Sequence, residues 1–519
     1  MTAPVTAPRF FITTAIDYAN GDPHLGHALE KIGADAIARY HRMSGHDVHF
    51  LVGMDEHGRK VAQSAAAAGV TPREFVDRIA ARFQDAWAKL AVSNDEFVRT
   101  TSPAHNEGVR ALLEMIFART PDAFYERTYT GSYCVGCESF KADADIVDGL
   151  CVLHPTRTLE TVEERNWFFR LTRYADELRA LLTRDPPFLS PESRRNEMLR
   201  VLDDGLEDVS ASRGRFAWGV PFVRPLSTGE QQTTYVWFDA LPNYWTVTRG
   251  AGAKAHWPAQ VHVIGKDISR FHTIIWPAML MAAGLPLPEQ VWVHGFVSFG
   301  GERFSKSAGV TIALDEAVAK FGADALRYYL LRDVPFDGDG SFSWDRFSEV
   351  YEGDLANAFG NLASRTTAMV EKYFEGVVPG APAGPQVAST SGAVDRAVAA
   401  VTGGNGFLLH EAIAHVLTSV RDTNEYVQRA QPWALAKDPA RRGELATVLA
   451  DAVGSLARQA AALAPVMPGK SQELWRSLGA PGTVIEQRLD RLATLDVSGW
   501  RVSKGAPLFP KPNPTSEVL

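Results

Sequence analysis

Within its first 53 residues the chain reads as apolar strand, polar turn, amphipathic helix and second apolar strand: "RFFITTAIDY", "ANGDPH", "LGHALEKIGADAIARYHRM", "HDVHFLVG". Strands joined through a helix pair in parallel with a right-handed crossover, so this order admits few folds. Beyond residue 218 strand-like "TTYVWFDAL", "AQVHVIG" and "VWVHGFVSF" alternate with helical patterns, while 118–217 breaks the rhythm with short Tyr-, Cys- and Gly-rich pieces. The pattern predicts an α/β parallel-sheet domain over 1–117 and 218–345, split by an insertion at 118–217. From 346 to 500 helical periodicity dominates and predicts a bundle, with "VVPGAPAGPQVASTSGAV" as a flexible loop between its helices. The Pro-rich residues 501–519 read as an extended tail.

At 519 residues the chain exceeds what one core usually supports, and its 45% hydrophobic and 22% charged composition is that of an ordinary globular protein. "TIIWPAMLMAAGLPLP" and "LARQAAALAPVM" are too short or too interrupted to cross a bilayer, and the start lacks the apolar core of a signal peptide. The expectation is a cytoplasmic protein with no membrane partner. The formal charge of −8 lies wholly in residues 1–350, with 37 Lys/Arg against 45 Asp/Glu, since the rest carries 16 of each. Charge therefore neither indicates nor excludes a nucleic acid.

All three cysteines fall in one pattern, Cys134-x2-Cys137 and then Cys151-x2-His154. Three thiolates and an imidazole at paired spacings close a tetrahedron around one Zn²⁺ with no open position, which predicts a structural site. Reduced core cysteines beside an incidental histidine are the alternative, and a catalytic zinc with a bound water a further one.

"DPHLGHALE" sets His24 and His27 one turn apart around Gly26 where a strand gives way to a helix. A helix N-terminus gathers unpaired amides and partial positive charge, and glycine lets a base or phosphate approach the backbone. Metal ligands or surface histidines would show the same spacing. The loops "AIDYANGDPHLGH", "GMDEHG", "VIGKD" and "GERFSKS" each follow a strand-like run, where α/β sheets bind ligands.

"HLGH" and "RFSKS" resemble the HIGH and KMSKS signatures of class I aminoacyl-tRNA synthetases. "DYANGDPHLGHALE", "GMDEHG", "YVWFDALPNY", "VIGKDISRFHTIIWPAMLMAAG", "NLASR" and "NEYVQRAQPWALAK" narrow the resemblance to the methionyl-tRNA synthetase family, bacterial type with a single zinc knuckle. It implies a Rossmann-type catalytic domain, a zinc-binding insertion and a helical anticodon-binding domain. It implies activation of L-methionine by ATP with Mg²⁺, then transfer to methionine tRNA, the initiator included. His24, His27 and Lys306 would be catalytic, and Gly26, Gly265, Asp267, Arg303 and Ser305 would complete the ATP site. Asp55 would pair with the methionine ammonium, and Ala15, Ile16, Tyr18, Trp237, Tyr244, Ile268 and His272 would line the side chain, with Tyr18 or His272 offering sulfur a polar contact. Asn361, Arg365 and Trp433 would read the anticodon CAU.

The family's usual Lys-Met is replaced here by Arg303-Phe304, which keeps the charge and an apolar anchor but alters how the loop docks. An insertion of about 100 residues already holding a zinc site leaves little room for the editing domain of synthetases for branched amino acids. Nothing after the bundle resembles an oligonucleotide-binding barrel, so the expectation is a monomer. A tRNA-binding paralogue that no longer charges its tRNA, or a free-standing nucleotidyltransferase, are the competing readings.

Overall fold

The first strand, β1 (Arg9–Thr14), is buried from Phe10 onward between two parallel neighbours in the computed structural model, which describes residues 7–134, 139–141, 146–152, 154–214, 218–250, 257–299, 302–303, 314–382, 384–404 and 406–510. The sheet adds β2 (Asp17–Tyr18), β3 (Asp47–Asp55), β4 (Glu96–Arg99), β5 (Leu189–Ser190), β6 (Val261–Gly265) and β7 (Gln290–His294). Its order is β5-β7-β6-β1-β3-β2 with β4 also on β3, and every pair is parallel. Alternation along β1 sends Phe10 and Ile12 into one core and Phe11 into the other. Both faces are therefore covered, which is why β1 and β3 read as continuous apolar runs.

The chain leaves β1 for β3 on one side and returns to β6 on the other, so the strand order reverses between β1 and β6. The carboxyl ends of those strands form the crevice where such sheets hold ligands.

Helix α1 (Leu25–Met43) lies between the sheet and the carboxyl-terminal helices, and even its Glu30, Lys31 and Asp35 are buried. Asp35 Oδ2 receives Arg327 Nη2 at 2.6 Å and Arg39 Nε at 2.8 Å, while Arg327 also donates to the carbonyls of Leu90, Pro465 and Val466. Tyr40 Oη adds a bond to Ala462 O at 3.0 Å. One core thus runs from the sheet through α1 into the bundle, and the Asp35–Arg327 pair inside it is bonded at both partners, as burial requires.

Residues 118–217 carry a long antiparallel pair, Phe124–Cys134 with Glu160–Phe169, and a small sheet of Ile146–Val147, Leu150–Cys151 and His154–Thr158. Among the described residues no helix is long and apolar enough to cross a membrane.

Three expectations are corrected. "TTYVWFDAL" is a strand only at Thr233–Thr234 and turns helical over Val236–Ala240, where buried Asp239 bonds two histidines. "VWVHGFVSF" divides into β7 and a separate strand, Val297–Phe299, that joins another small sheet with Glu302–Arg303 and Gly340–Phe342. The supposed flexible loop becomes a helix from Pro385 to Thr402, because Asp451 on the facing helix accepts from the backbone amides of Gln386 and Val387 at 3.1 and 2.8 Å. That cap comes from a residue 65 positions away and leaves no local trace. The described part of the tail, 501–510, has no helix or strand beyond an isolated bridge of Arg501 to Val377, yet Leu508 and Phe509 are buried and Tyr351 Oη donates to Pro510 O at 2.8 Å.

Candidate active site

His24 is the residue before α1, and its Nδ1 accepts from Gly26 N at 3.1 Å; His27 Nδ1 accepts from His24 N at 3.2 Å. The two imidazoles close a reciprocal capping box and stack with centroids 3.8 Å apart. With Nδ1 accepting, each neutral ring carries its proton on Nε2, the donor that an anion at a helix N-terminus needs. A Cβ at Gly26 would lie 3.0 Å from His24 Cε1, so the bare backbone is what lets the ring fold over the helix start. Gly265 plays the same part at the end of β6, where a Cβ would stand 2.9 Å from Asp267 Oδ1.

The residues that the resemblance assigns to the amino acid stand at or just after the ends of several strands, with Ala15, Ile16, Trp237, Tyr244 and Ile268 in one cluster. Ala15 N donates to Val263 O at 3.1 Å, tying β1 to β6, and Tyr18 stands opposite Asp55 in the β2–β3 register. Trp237 stacks on Phe271 at 3.7 Å and 7°, with His272 edge-on at 6.2 Å, because a wide π-type turn over Phe271–Ile275 presents both. Tyr244 Oη lies 2.7 Å from His272 Nε2, and His272 Nδ1 lies 3.0 Å from Ile268 O. A carbonyl can only accept, so His272 is protonated at Nδ1 and takes the Tyr244 proton at Nε2. Both its nitrogens are engaged, leaving neither for a thioether. Burial lowers His272 to about 4, which keeps it neutral; burial likewise raises Tyr244, with further help from the charges on Glu30 and Asp55.

A second group escaped the sequence reading. Asp239 is wholly buried, with His57 Nδ1 at 2.6 Å on one oxygen and His105 Nε2 at 3.1 Å on the other. Burial opposes this charge, but the two histidines outweigh it and hold Asp239 down at about 2. Since His57 is two residues from Asp55 and Asp239 two from Trp237, the cluster fixes one wall of the site against another. Glu56, next to Asp55, is held in turn by Arg99 Nε at 2.6 Å and by Thr101. "GMDEHG" and "YVWFDAL" contain most of these residues, whereas His105 carries no signal in the sequence.

The family model for class I tRNA synthetases (M) matches residues 10–160 and 144–367. A methionine–tRNA ligase of Streptomyces coelicolor is 40% identical over 97% of this chain and 97% of its own length. The chain belongs to the class I methionyl-tRNA synthetases. The ligase of Thermotoga maritima is 39% identical over 97% of this chain and 80% of the relative. Among solved structures, the Mycobacterium tuberculosis methionyl-tRNA synthetase in complex with methionyl-adenylate aligns with a TM-score of 0.90 at 37% identity, covering 97% of this chain and all of that one. Its apo form gives 0.83 at 33% identity, covering 98% of this chain and 99% of the other.

In this synthetase the helical region places Asn361, exposed, and Arg365 on one helix, Asn361–Phe374. Arg365 lies 5.9 Å over the ring of half-buried Trp433, which begins the short helix Pro432–Leu435 beside it. The three predicted anticodon residues thus share one surface. Ser305, Lys306 and Cys137, with the side chains of Arg303 and His154, lie outside the described residues. Cys134 and Cys151 are buried, each 1% exposed, and Cys151 faces His154 in register. Among the described residues no three His, Cys, Asp or Glu side chains are grouped to hold a metal ion.

Proposed function

We infer that the chain is a methionine–tRNA ligase that activates L-methionine with ATP and transfers it to methionine tRNA, releasing AMP and diphosphate. The observation that supports this is a pair of anion-directed imidazoles at the start of α1, beside the β1–β6 switch point, with a carboxylate at the end of β3 and the Tyr244–His272 pair beyond β6 around the same strand ends. Methionine lies with its ammonium against Asp55 and its side chain against Trp237, Tyr244, Ile16 and Ala15. Its carboxylate attacks the α-phosphorus while diphosphate leaves, and His24 and His27 donate to the oxygens on which negative charge accumulates. Asp267 and Gly265, at the end of β6, hold the nucleoside. Lys306, with Arg303 and Ser305, neutralises the departing diphosphate; Mg²⁺, bound with ATP, would supply further charge neutralisation there. The terminal adenosine hydroxyl of tRNA then attacks the mixed anhydride and AMP departs.

Asn361 and Arg365 suit hydrogen bonding to anticodon base edges, and Trp433 suits stacking on a base. Cys134, Cys137, Cys151 and His154 hold one structural zinc, a reading supported by the burial of two of the thiols at strand ends and by the Cys151–His154 register.

ATP–diphosphate exchange with a panel of amino acids tests the function: methionine alone supports it strongly, and no methionine-dependent exchange from folded, zinc-loaded protein rejects it. Lys306→Ala lowers exchange by about 100-fold or more and leaves methionine affinity within about twofold; a lost methionine affinity would assign the loop another role.

A further inference from the structure

Beneath the turn between β1 and α1 lies a buried charge cluster that the activation and transfer steps do not use. Lys31, fully buried, donates from Nζ to Glu30 Oε1 at 2.7 Å, to Asp17 Oδ1 at 2.9 Å and to the Ala15 carbonyl at 2.9 Å. Glu30 Oε2 lies 3.1 Å from His294 Nε2, at the end of β7. All three ammonium protons are placed, so the side chain is a three-way directional tie rather than a diffuse charge. Burial raises the Asp17 carboxyl to about 7 despite Lys31, whereas at Glu30 burial is outweighed by Lys31 and His294 together. Burial also opposes the Lys31 charge, but the two carboxylates outweigh it and keep the ammonium protonated. An apolar residue would fill such a place with less cost.

The two sides that Lys31 joins differ in how else they are held. Helix α1 has the Asp35–Arg327 pair and the Tyr40–Ala462 bond to fix it. Residues 15–18 have the Ala15–Val263 bond and a two-residue pairing with β3. Lys60 also lies 5.9 Å over the Tyr18 ring, but Lys31 is the side chain that ties Ala15 and Asp17 to α1.

We propose that Lys31 is a positioning residue for the amino-acid pocket: gripping Ala15 and Asp17, it sets where Ala15, Ile16 and Tyr18 stand relative to His24 and His27, and so where the methionine carboxylate meets the α-phosphate. This rests on the methionine-activating reading above. A displacement of about 1 Å at such a pocket is enough to cost one to two orders of magnitude in rate.

The test uses the full chain with Lys31→Met and Asp17→Ala. Equilibrium dialysis with labelled methionine and no ATP gives Kd, exchange kinetics give kcat and both KM values, and thermal melting reports folding. Lys31→Met raises the Kd and KM for methionine by about tenfold or more, Asp17→Ala by about threefold or more, and the KM for ATP stays within about twofold. A lowered melting midpoint with unchanged methionine Kd in either folded variant overturns the proposal, since the pair would then be structural. Should Lys31→Met not fold, Asp17→Ala decides by the same readout, and failure of both to fold overturns it too. Absence of exchange in the wild type rejects the functional reading itself; active wild type with unmoved variants rejects only the role of Lys31.

Discussion

Asp239→Asn keeps the shape of a buried side chain while removing the charge that His57 and His105 share. The fall of Asp239 from 3.8 to about 2 in the folded protein corresponds to roughly 2.5 kcal/mol, at about 1.4 kcal/mol per pH unit, and full burial means no discount for solvent screening. A carboxyl with a lowered folded-state pKa contributes stability above its ordinary value and loses it as pH falls toward the folded one. The variant is therefore expected to melt about 5 °C below the wild type at pH 7, at about 2 °C per kcal/mol for a large domain. That gap persists at pH 5 and narrows below about pH 4. Because His57 and Asp239 lie two residues from Asp55 and Trp237, the KM for methionine is expected to rise by about tenfold while the KM for ATP moves less. Differential scanning fluorimetry across pH and exchange kinetics measure both effects. Equal midpoints at pH 7, or a gap that stays constant down to pH 3.5 in protein still folded, would refute the assignment of the stability to the Asp239 charge.

Trp433→Ala is expected to lower kcat/KM for tRNA charging by about 10- to 100-fold, the worth of one base stack, with methionine-dependent exchange unchanged. Removing zinc with a chelator should release one equivalent of metal per chain and speed amide exchange in residues 118–217 ahead of the parallel sheet; no metal in the purified protein, or no change in exchange, counts against the site. Burial holds His41 at about 3 and His272 at about 4, so each favours the folded state above about pH 6.5 and that contribution is lost on acidification toward the lowered values. The melting midpoint should consequently drop between pH 7 and 5, and His41→Gln should shallow the drop; an unaltered slope argues that His41 is not held neutral.

Much of the site was legible because its chemistry is local. A histidine pair around Gly26 at a strand-to-helix turn is a property of four consecutive residues, and the structure closes it into a capping box using only those residues and their own backbone. The strand β3 and the helix α1 were equally plain, since period-two and 3.6-residue apolar patterns are written along the chain itself. Trp433 and Arg365 were both marked by type and position, though their mutual contact was not.

Tertiary structure alone decided the rest, for a physical reason that recurs. A buried polar group must be paired, and its partner is set by the packing of elements far apart in sequence. The Pro385–Thr402 helix looked like a loop because the carboxylate that caps it sits on another helix, at Asp451. Asp239 looked like part of a strand because His57 and His105, which make its burial tolerable, come from elsewhere. Lys31 and Asp17 carry no mark of burial in the sequence; packing α1 between sheet and bundle is what buries them together. The sequence by itself determined the order of elements, the anion-binding turn and the family's chemistry; only folding determined which charges are buried together, and so how firmly the amino-acid side of the crevice is held.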